Sequence, residues 1–260
     1  MIEGTSRRRE ARSSRNRSLL ALLLAVLACF ASGPAMAEFW TVSSESYFPP
    51  YNFTLKGKRT GMDTEIVEAM LARLGKTPVH RPGAWSDVVK DLDTNQTDIA
   101  FQFLGSGKRA RIHTMIGPYR DSTTVIMTRK DSPIVFESIE DLRGLKIGVV
   151  SGFDYSPEFD RSDVFTRLVS SGNVINFRRL MLGRVDAIVG DREVLKFQAE
   201  SDGHADAVRI LPKPLNVTPR YIAVPKERKE KAEMLQAAFE EIKADGTLAR
   251  IIKTWIPQDE

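Results

Sequence analysis

Two series of alternating strand and helix patterns, separated by proline-containing breaks, restrict this chain to few folds. Short apolar runs such as residues 39–42 alternate with segments such as 63–74, whose apolar residues recur every three or four positions. The breaks lie at residues 130–133 and 212–219. Strands that alternate with helices build a sheet covered by helices on both faces. We therefore predict an α/β chain of two lobes joined by two extended crossings.

The breaks also predict the extent of the lobes. Lobe I is expected to combine residues 38–128 with residues 217–260, and lobe II to comprise residues 129–216. In α/β sheets of this kind, ligands bind beyond the carboxyl ends of the strands. A ligand cleft is therefore expected between the lobes.

The first 37 residues have the features of an export signal. They hold six arginines and two acids, so the net charge of +4 lies entirely in this segment. An uncharged apolar run at residues 19–31 precedes Ala35-Met36-Ala37, whose small residues predict cleavage after Ala37. The run is shorter than the ~20 residues of a membrane span. We expect a periplasmic protein; a lipoprotein cut before Cys29 is the alternative.

Charge and residue usage exclude several classes of function. Without the signal the chain is neutral, so it lacks the broad positive field that nucleic-acid binding requires. Cys29 is the one cysteine and lies in the signal, so we expect no thiol nucleophile. His80, His113 and His204 lie far apart in sequence, without metal-ligand spacing. No metal or cofactor is expected.

Seven motifs stand in the order typical of one family. They are residues 47–53 (YFPPYNF), 61–66 (GMDTEI), Trp85, Lys108-Arg109 with Gly117-Pro118-Tyr119, 142–149 (LRGLKIGV), 183–191 (GRVDAIVGD) and 243–247 (KADGT). On these residues the chain resembles the periplasmic solute-binding proteins of family 3, the polar amino-acid receptors of ABC importers. The resemblance covers about residues 39–256.

The resemblance implies a fold and a function. The fold is the hinged two-lobe α/β fold of type II periplasmic binding proteins, with the ligand in the cleft between the lobes. The function is a non-catalytic, monomeric receptor that captures a small polar solute, an amino acid or a relative. A permease in the inner membrane then recognises the closed, solute-bound form.

The resemblance also implies ligand-binding residues. Arg109, nine residues before Pro118, would bind the ligand α-carboxylate, because a guanidinium matches a carboxylate with two parallel hydrogen bonds. Asp191 would accept the ligand ammonium from the opposite lobe, although aspartate is also a favoured helix N-cap. Phe48 and Trp85 would sandwich the ligand side chain, with core packing as the alternative.

Two loops depart from the family pattern. The loop before Arg109 is one residue short of the usual Gly-x-Thr arrangement, and Ser106 is expected to supply the missing hydroxyl. After the first strand of lobe II, Gly152 keeps the family glycine, but Phe153 stands where a threonine is usual. This change removes a hydroxyl and adds a ring near the ligand. The resemblance therefore does not decide whether the ligand is a plain α-amino acid.

Two other functions remain open at this point. Cyclohexadienyl dehydratases share the scaffold and require a general acid of raised pKa in the cleft, for which Glu193 is the nearest candidate. The fold also serves as the sensory ectodomain of signalling proteins, and a sensory ligand-binding module is the other alternative.

Overall fold

A computed structural model describes residues 38–256 of the chain. From Phe39 onward these residues belong to one compact unit. The predicted signal, its cleavage site after Ala37 and the alternative cut before Cys29 lie outside the described residues. Within the described range, the structure contains no helix of sufficient length and apolar character to cross a membrane.

Strands and helices alternate along the described chain. The strands are β1 (Glu38–Glu45), β2 (Phe53–Leu55), β3 (Lys58–Thr60), β4 (Lys76–Gly83), β5 (Ile99–Leu104), β6 (Thr114–Arg129), β7 (Lys146–Val150), β8 (Thr166–Ser170), β9 (Ala187–Asp191), β10 (Val208–Ile210) and β11 (Asn216–Val224). The α-helices are α1 (Met62–Arg73), α2 (Trp85–Asp93), α3 (Gly107–Ile112), α4 (Pro157–Arg161), α5 (Asn173–Met181), α6 (Arg192–Ser201), α7 (Lys229–Ala244) and α8 (Thr247–Trp255).

The strand order shows two groups of parallel strands joined through two long antiparallel strands. It reads β4-β1-β5-β11-β6-β9-β7-β8, while β10 pairs with β6, and β2 and β3 form a separate hairpin. β1 is parallel to β5 in lobe I, and β7 is parallel to both β8 and β9 in lobe II. β6 and β11 pair with each other between these groups and form the two crossings.

The change of strand partner locates the crossings. β6 pairs with β11 from Thr114 to Thr124, and with β9 from Thr124 to Thr128. Asn216, the first residue of β11, lies opposite Thr124. The lobe boundaries expected after residues 128 and 216 stay a prediction. In the structure, β6 changes its pairing partner at Thr124, opposite Asn216.

Each lobe has its own apolar core. In lobe I, the buried face of α1 packs with strand and C-terminal helix residues, including Ile66, Met70, Trp40 and Phe239. Lobe II has a core on each side of its sheet, because successive side chains of a strand point to opposite faces. In β9, Ala187 and Val189 belong to one of these cores and Ile188 to the other.

The structure confirms most predicted elements and corrects several. The helix predicted at residues 63–74 is α1, and the short helix predicted at residues 138–142 is a 3₁₀ turn, Ile139–Leu142. The helix predicted to open at Pro225 begins at Lys229. Arg228, just before it, donates from Nη2 to the carbonyl of Asn95 at 2.9 Å, so a contact with a distant loop holds this end. The hairpin β2–β3, β8, α3 and α4 were not predicted.

Residues 122–128, which are rich in Thr and Val, predict a strand that begins after Gly117 and Pro118, because glycine and proline disfavour strands. β6 is much longer and includes both residues. The pairing with β11 shifts register between Arg220 and Ile222, opposite this Gly-Pro pair. A bulge of this kind accommodates a residue that cannot donate to the ladder. The strand therefore continues through a sequence that would otherwise end it.

Candidate functional site

A cavity of about 740 Å³ lies between the two lobes. Lobe I contributes Glu45, the last residue of β1, and Leu104, the last residue of β5. Lobe II contributes Gly152 and Phe153, which follow β7. The cavity therefore lies at the carboxyl ends of three parallel strands, where ligands of α/β sheets bind. This placement agrees with the cleft expected from the sequence.

Six of the seven predicted site residues line this cavity. They are Phe48, Trp85, Ser106, Arg109, Gly152 and Phe153. Asp191 is not among the described residues of the lining. The structure brings the six together from both lobes, and their contact with a solute stays a prediction.

Aromatic side chains from both lobes meet at one wall of the cavity. The ring of Phe153, from lobe II, lies edge-on to Phe48 at 6.1 Å and to Trp85 at 6.3 Å between ring centroids. Trp85 also packs on Phe103, with 4.9 Å between ring centroids. Edge-to-face pairs at these distances are favourable beyond their buried area. Phe153 thus replaces a polar contact of the family pattern with an apolar link between the lobes.

Arg109 lies in α3, whose entry is formed by Ser106 and Gly107. Gly107 has φ +82°, a left-handed conformation that glycine adopts at little cost. The buried Nε of Arg109 has no hydrogen-bond partner, and its guanidinium forms no ion pair with residues 38–256. Ser106 is exposed and its side chain does not cap α3. A guanidinium and a hydroxyl therefore both face the cavity with donors to offer.

Asp191 caps the N-terminus of α6, as the alternative interpretation predicted. Its Oδ1 accepts from the backbone N–H of Glu193 at 3.0 Å and from the hydroxyl of Tyr51 at 2.9 Å. Its Oδ2 accepts from Oγ of Ser122 at 2.6 Å. Both carboxylate oxygens of this buried side chain thus have protein partners. That Asp191 also accepts a solute ammonium stays a prediction.

A second buried carboxylate, Asp63, holds Arg120, an arginine of the cavity lining. Nε and Nη2 of Arg120 donate to the two oxygens of Asp63 at 2.7 and 2.9 Å. The guanidinium of Arg120 also lies 3.6 Å from the ring centroid of Tyr51. Burial alone would lower the pKa of Arg120, but the charge of Asp63 more than offsets it and raises that pKa well above its ordinary value. Arg120 and Asp63 therefore form a buried ion pair.

Several charged residues of the lining were not predicted as site residues, among them Glu45 and Arg220. Burial raises the pKa of Glu45 to about 8, although the charge of Arg220 opposes this shift. No described residue donates a hydrogen bond to the Glu45 carboxyl group. Burial, followed by the charge of Arg120, lowers the pKa of Arg220. The strand predicted at residues 39–42 stops short of Glu45, which ends β1 in the structure, and no sequence signal identifies Arg220.

The acid proposed from the sequence for a dehydratase is misplaced. Glu193 lies in the first turn of α6, forms a 3.8 Å ion pair with Lys196 and does not line the cavity in the described structure. The buried acid that does line the cavity is Glu45. Across residues 38–256, no three His, Cys, Asp or Glu side chains group as metal ligands would.

Comparison with known proteins assigns the whole described region to one class. The family model of bacterial extracellular solute-binding proteins, family 3, matches residues 40–258. The L-cystine-binding protein TcyJ of Escherichia coli strain K12 is 25% identical over 222 residues, which are 84% of this chain and 82% of that protein.

Solved structures show the same two-lobe architecture. An ancestral arginine-binding protein bound to glutamine is 27% identical, with a TM-score of 0.77 over 86% of this chain and 100% of that chain. The ancestral amino acid-binding protein AncCDT-1, a precursor of cyclohexadienyl dehydratase, is 22% identical, with a TM-score of 0.73 over 84% of this chain and 95% of that chain. The second likeness concerns the fold alone.

Proposed function

Because this chain belongs to the bacterial extracellular solute-binding proteins of family 3, we propose that it captures an amino acid or a close relative for an ABC importer. The proposal places the mature protein in the periplasm, as a monomer that delivers its solute to an inner-membrane permease. The relatives support this function, since TcyJ is named for binding cystine and an ancestral relative was solved with arginine and with glutamine.

One observation carries the proposal: Arg109 lines the interlobe cavity with a buried Nε that has no hydrogen-bond partner. A buried polar group without a partner costs free energy. A solute carboxylate would recover that cost through charge-assisted hydrogen bonds. Ser106, at the start of the same helix, would add a hydroxyl donor to that carboxylate.

The amine of the solute requires an acceptor in the same cavity. Asp191 is the acceptor implied by the family resemblance, but its two oxygens already accept protein hydrogen bonds. Glu45 lines the cavity, and no described group donates to its carboxyl. An ammonium beside Glu45 would lower its pKa, so binding would release a proton near neutral pH. We propose that Glu45 accepts the solute ammonium, and that Asp191 is the alternative acceptor to be compared with it by mutation.

The energetics of capture follow from contacts that only a closed cleft makes. Arg109 belongs to lobe I, whereas Gly152 and Phe153 belong to lobe II. A solute that contacts both sets favours the closed form by its difference in affinity for the two states. Phe48 and Trp85 would hold the body of the solute, where Phe153 joins them from the other lobe.

Solute identification tests the proposal. The mature chain is purified from a bacterial periplasm, and the solute it retains is released by denaturation and identified by mass spectrometry. The stripped protein is then titrated calorimetrically with that solute and with a panel of amino acids, opines and polyamines. We expect at least one amino-acid-like solute to bind and to raise the melting temperature. A protein that retains no solute and binds none of the panel contradicts the proposal.

The elevated pKa of Glu45 supports one other function. An acid that keeps its proton near neutral pH in a ligand cavity meets the requirement for a general acid. A dehydratase acting on cyclohexadienyl acids is therefore the second candidate, on a fold shared with AncCDT-1. Incubation with prephenate or arogenate tests it. Turnover that Glu45→Gln abolishes would establish the enzyme, and binding without turnover would exclude these substrates.

A further inference from the structure

We propose that the solute carries two acidic groups, one bound by Arg109 and the other by Arg220. The inference rests on the receptor function proposed above and specifies the class of solute. Both arginines line the same cavity, yet they come from different elements, α3 and β11.

The position of Arg220 in the sheet makes its charge costly. Arg220 in β11 pairs directly with Arg120 in β6. Residues directly opposite in an antiparallel pair share one face of the sheet, and like charges at such positions destabilise it. Asp63 neutralises Arg120 through two hydrogen bonds of 2.7 and 2.9 Å. No residue of the described chain forms an ion pair with Arg220.

The hydrogen bonds of Arg220 leave most of its donors without partners. Its Nη2 donates to Oγ of Ser122 at 3.0 Å, and its Nη1 lies 3.5 Å from the carbonyl oxygen of Gln102. A guanidinium has five N–H donors, and both of these acceptors are neutral. Charges in protein interiors are normally paired. Arg220 therefore has a fixed position in the cavity wall and no direct ion pair among the described residues.

The charge of Asp191 partly opposes the lowering of the Arg220 pKa by burial and by Arg120, but neither of the two nearest carboxyl groups contacts the Arg220 guanidinium directly. Asp191 is separated from Arg220 by Ser122, whose hydroxyl donates to Oδ2 of Asp191 at 2.6 Å. Glu45 forms neither a hydrogen bond nor an ion pair with Arg220. Burial keeps the proton on Glu45 near neutral pH, so Arg109 and Arg220 are two half-buried cations of the lining without a direct ion pair in the described chain. Such a lining attracts anionic groups.

The remaining acids of the lining are committed elsewhere or exposed. Asp93 lies 2.9 Å from Nε2 of His113, and Asp154 and Asp160 are exposed to solvent. A single carboxylate at Arg109 would leave most N–H donors of Arg220 without a charged acceptor. A solute with a second acid group would pair with both guanidiniums. An amine between the acids would face Glu45, so the expected class is an amino-acid-like dicarboxylate.

Matched pairs of probes test this inference. meso-2,6-Diaminopimelate and L-lysine differ by one carboxylate, and octopine and L-arginine differ by one carboxyethyl group. Each probe is titrated calorimetrically into the stripped mature protein. We expect at least one dicarboxylate to bind about 10- to 100-fold more tightly than its partner, the range for one charge-assisted hydrogen-bonded pair.

Variants assign that preference to Arg220. Arg220→Gln should remove the 10- to 100-fold preference, because it weakens binding of the dicarboxylate much more than binding of its monocarboxylate partner, whereas Arg220→Lys should retain part of the preference. Arg178→Gln, at an exposed position of α5 outside the cavity lining, removes the same charge and should change neither affinity. Arg220→Gln should also raise the melting temperature of the solute-free protein, because it removes the repulsion between Arg220 and Arg120 on the paired strand.

The outcomes separate this inference from the receptor function. Equal binding of both members of each pair to the unmodified protein would overturn the inference and leave the receptor function intact. The inference would also be overturned if Arg220→Gln weakened all four probes equally and lowered the melting temperature, because Arg220 would then be structural. A protein that binds none of the probes, none of the amino-acid panel and retains no solute would lose both proposals together.

Discussion

The hydroxyl of Tyr51 in lobe I donates a 2.9 Å hydrogen bond to Oδ1 of Asp191, the N-cap residue of α6 in lobe II. Tyr51 belongs to the core of lobe I, and Asp191 ends β9 of lobe II. Burial, followed by the charge of Asp191, raises the pKa of Tyr51 well above its ordinary value, so the hydroxyl keeps its proton. The two lobes are therefore linked by a buried, charge-assisted hydrogen bond.

Removing this link should weaken solute binding through the closed form. Tyr51→Phe leaves the ring in the core but takes one of the donors from Asp191, at a cost of about 1–2 kcal/mol to the closed state. We expect roughly a tenfold loss of solute affinity by calorimetry. Tyr119→Phe is the matched control, because the Tyr119 hydroxyl donates to Asp63 within lobe I. An equal loss of affinity in both variants would argue against a specific link between the lobes.

Arg109 should contribute to affinity and little to stability. Its side chain has no hydrogen bond or ion pair among the described residues. Arg109→Gln should therefore lower the affinity for any carboxylate solute about 10- to 100-fold, without lowering the melting temperature of the stripped protein. Arg111→Gln, on the same helix but outside the cavity lining, serves as the control. An unchanged affinity in Arg109→Gln would remove Arg109 from the site.

Glu45 should make the stability of the stripped protein fall as the pH rises. Its pKa is raised from 4.5 to about 8, so between these values the folded state keeps a proton that the unfolded state has lost. The contribution is fully present below pH 4.5 and is lost as the pH rises toward about 8, by at most ~1.4 kcal/mol per pH unit. Glu45→Gln cannot titrate, so its advantage over the unmodified protein should grow with pH in urea unfolding experiments. A constant difference between pH 5 and 8 would contradict the assigned pKa.

The same group should make binding depend on pH. If Glu45 accepts the solute ammonium, affinity rises with pH up to about 8, because only the ionised carboxylate binds the cation well. Calorimetry in buffers of different ionisation enthalpy should detect proton release near pH 7. Glu45→Gln should abolish this release, whereas Asp191→Asn should preserve it. The reverse result would assign the ammonium to Asp191, as the family resemblance implies.

The ring of Phe153 should contribute to affinity across the cleft. Phe153→Leu removes the edge-to-face contacts with Phe48 and Trp85. Each contact contributes about 0.5–1.5 kcal/mol in addition to the free energy of the apolar area it buries. We expect a loss of solute affinity of about tenfold. Phe165→Leu, which alters a ring pair with Phe159 within lobe II and away from the cavity lining, is the control. Unaltered affinity in Phe153→Leu would show that these contacts are already made in the open form.

Local patterns were sufficient for the elements and for most of the cleft. The apolar periodicity of α1 and the buried runs of β7 and β9 are properties of consecutive residues, so the sequence predicted them within one or two positions. β6 was predicted too short because its extension through Gly117 and Pro118 depends on pairing with β11. The start of α7 was misplaced because Arg228 is held by Asn95, far away in the sequence.

The sequence by itself determined the alternation of strands and helices, the family, and the loops that bring Phe48, Trp85, Ser106, Arg109, Gly152 and Phe153 to the cavity. Only the tertiary structure decided the charges around them. Asp191 finds Tyr51 140 positions away, and Arg220 meets Ser122 98 positions away. A side chain's burial, partners and pKa depend on residues that folding brings together, and no local pattern encodes which residues those are.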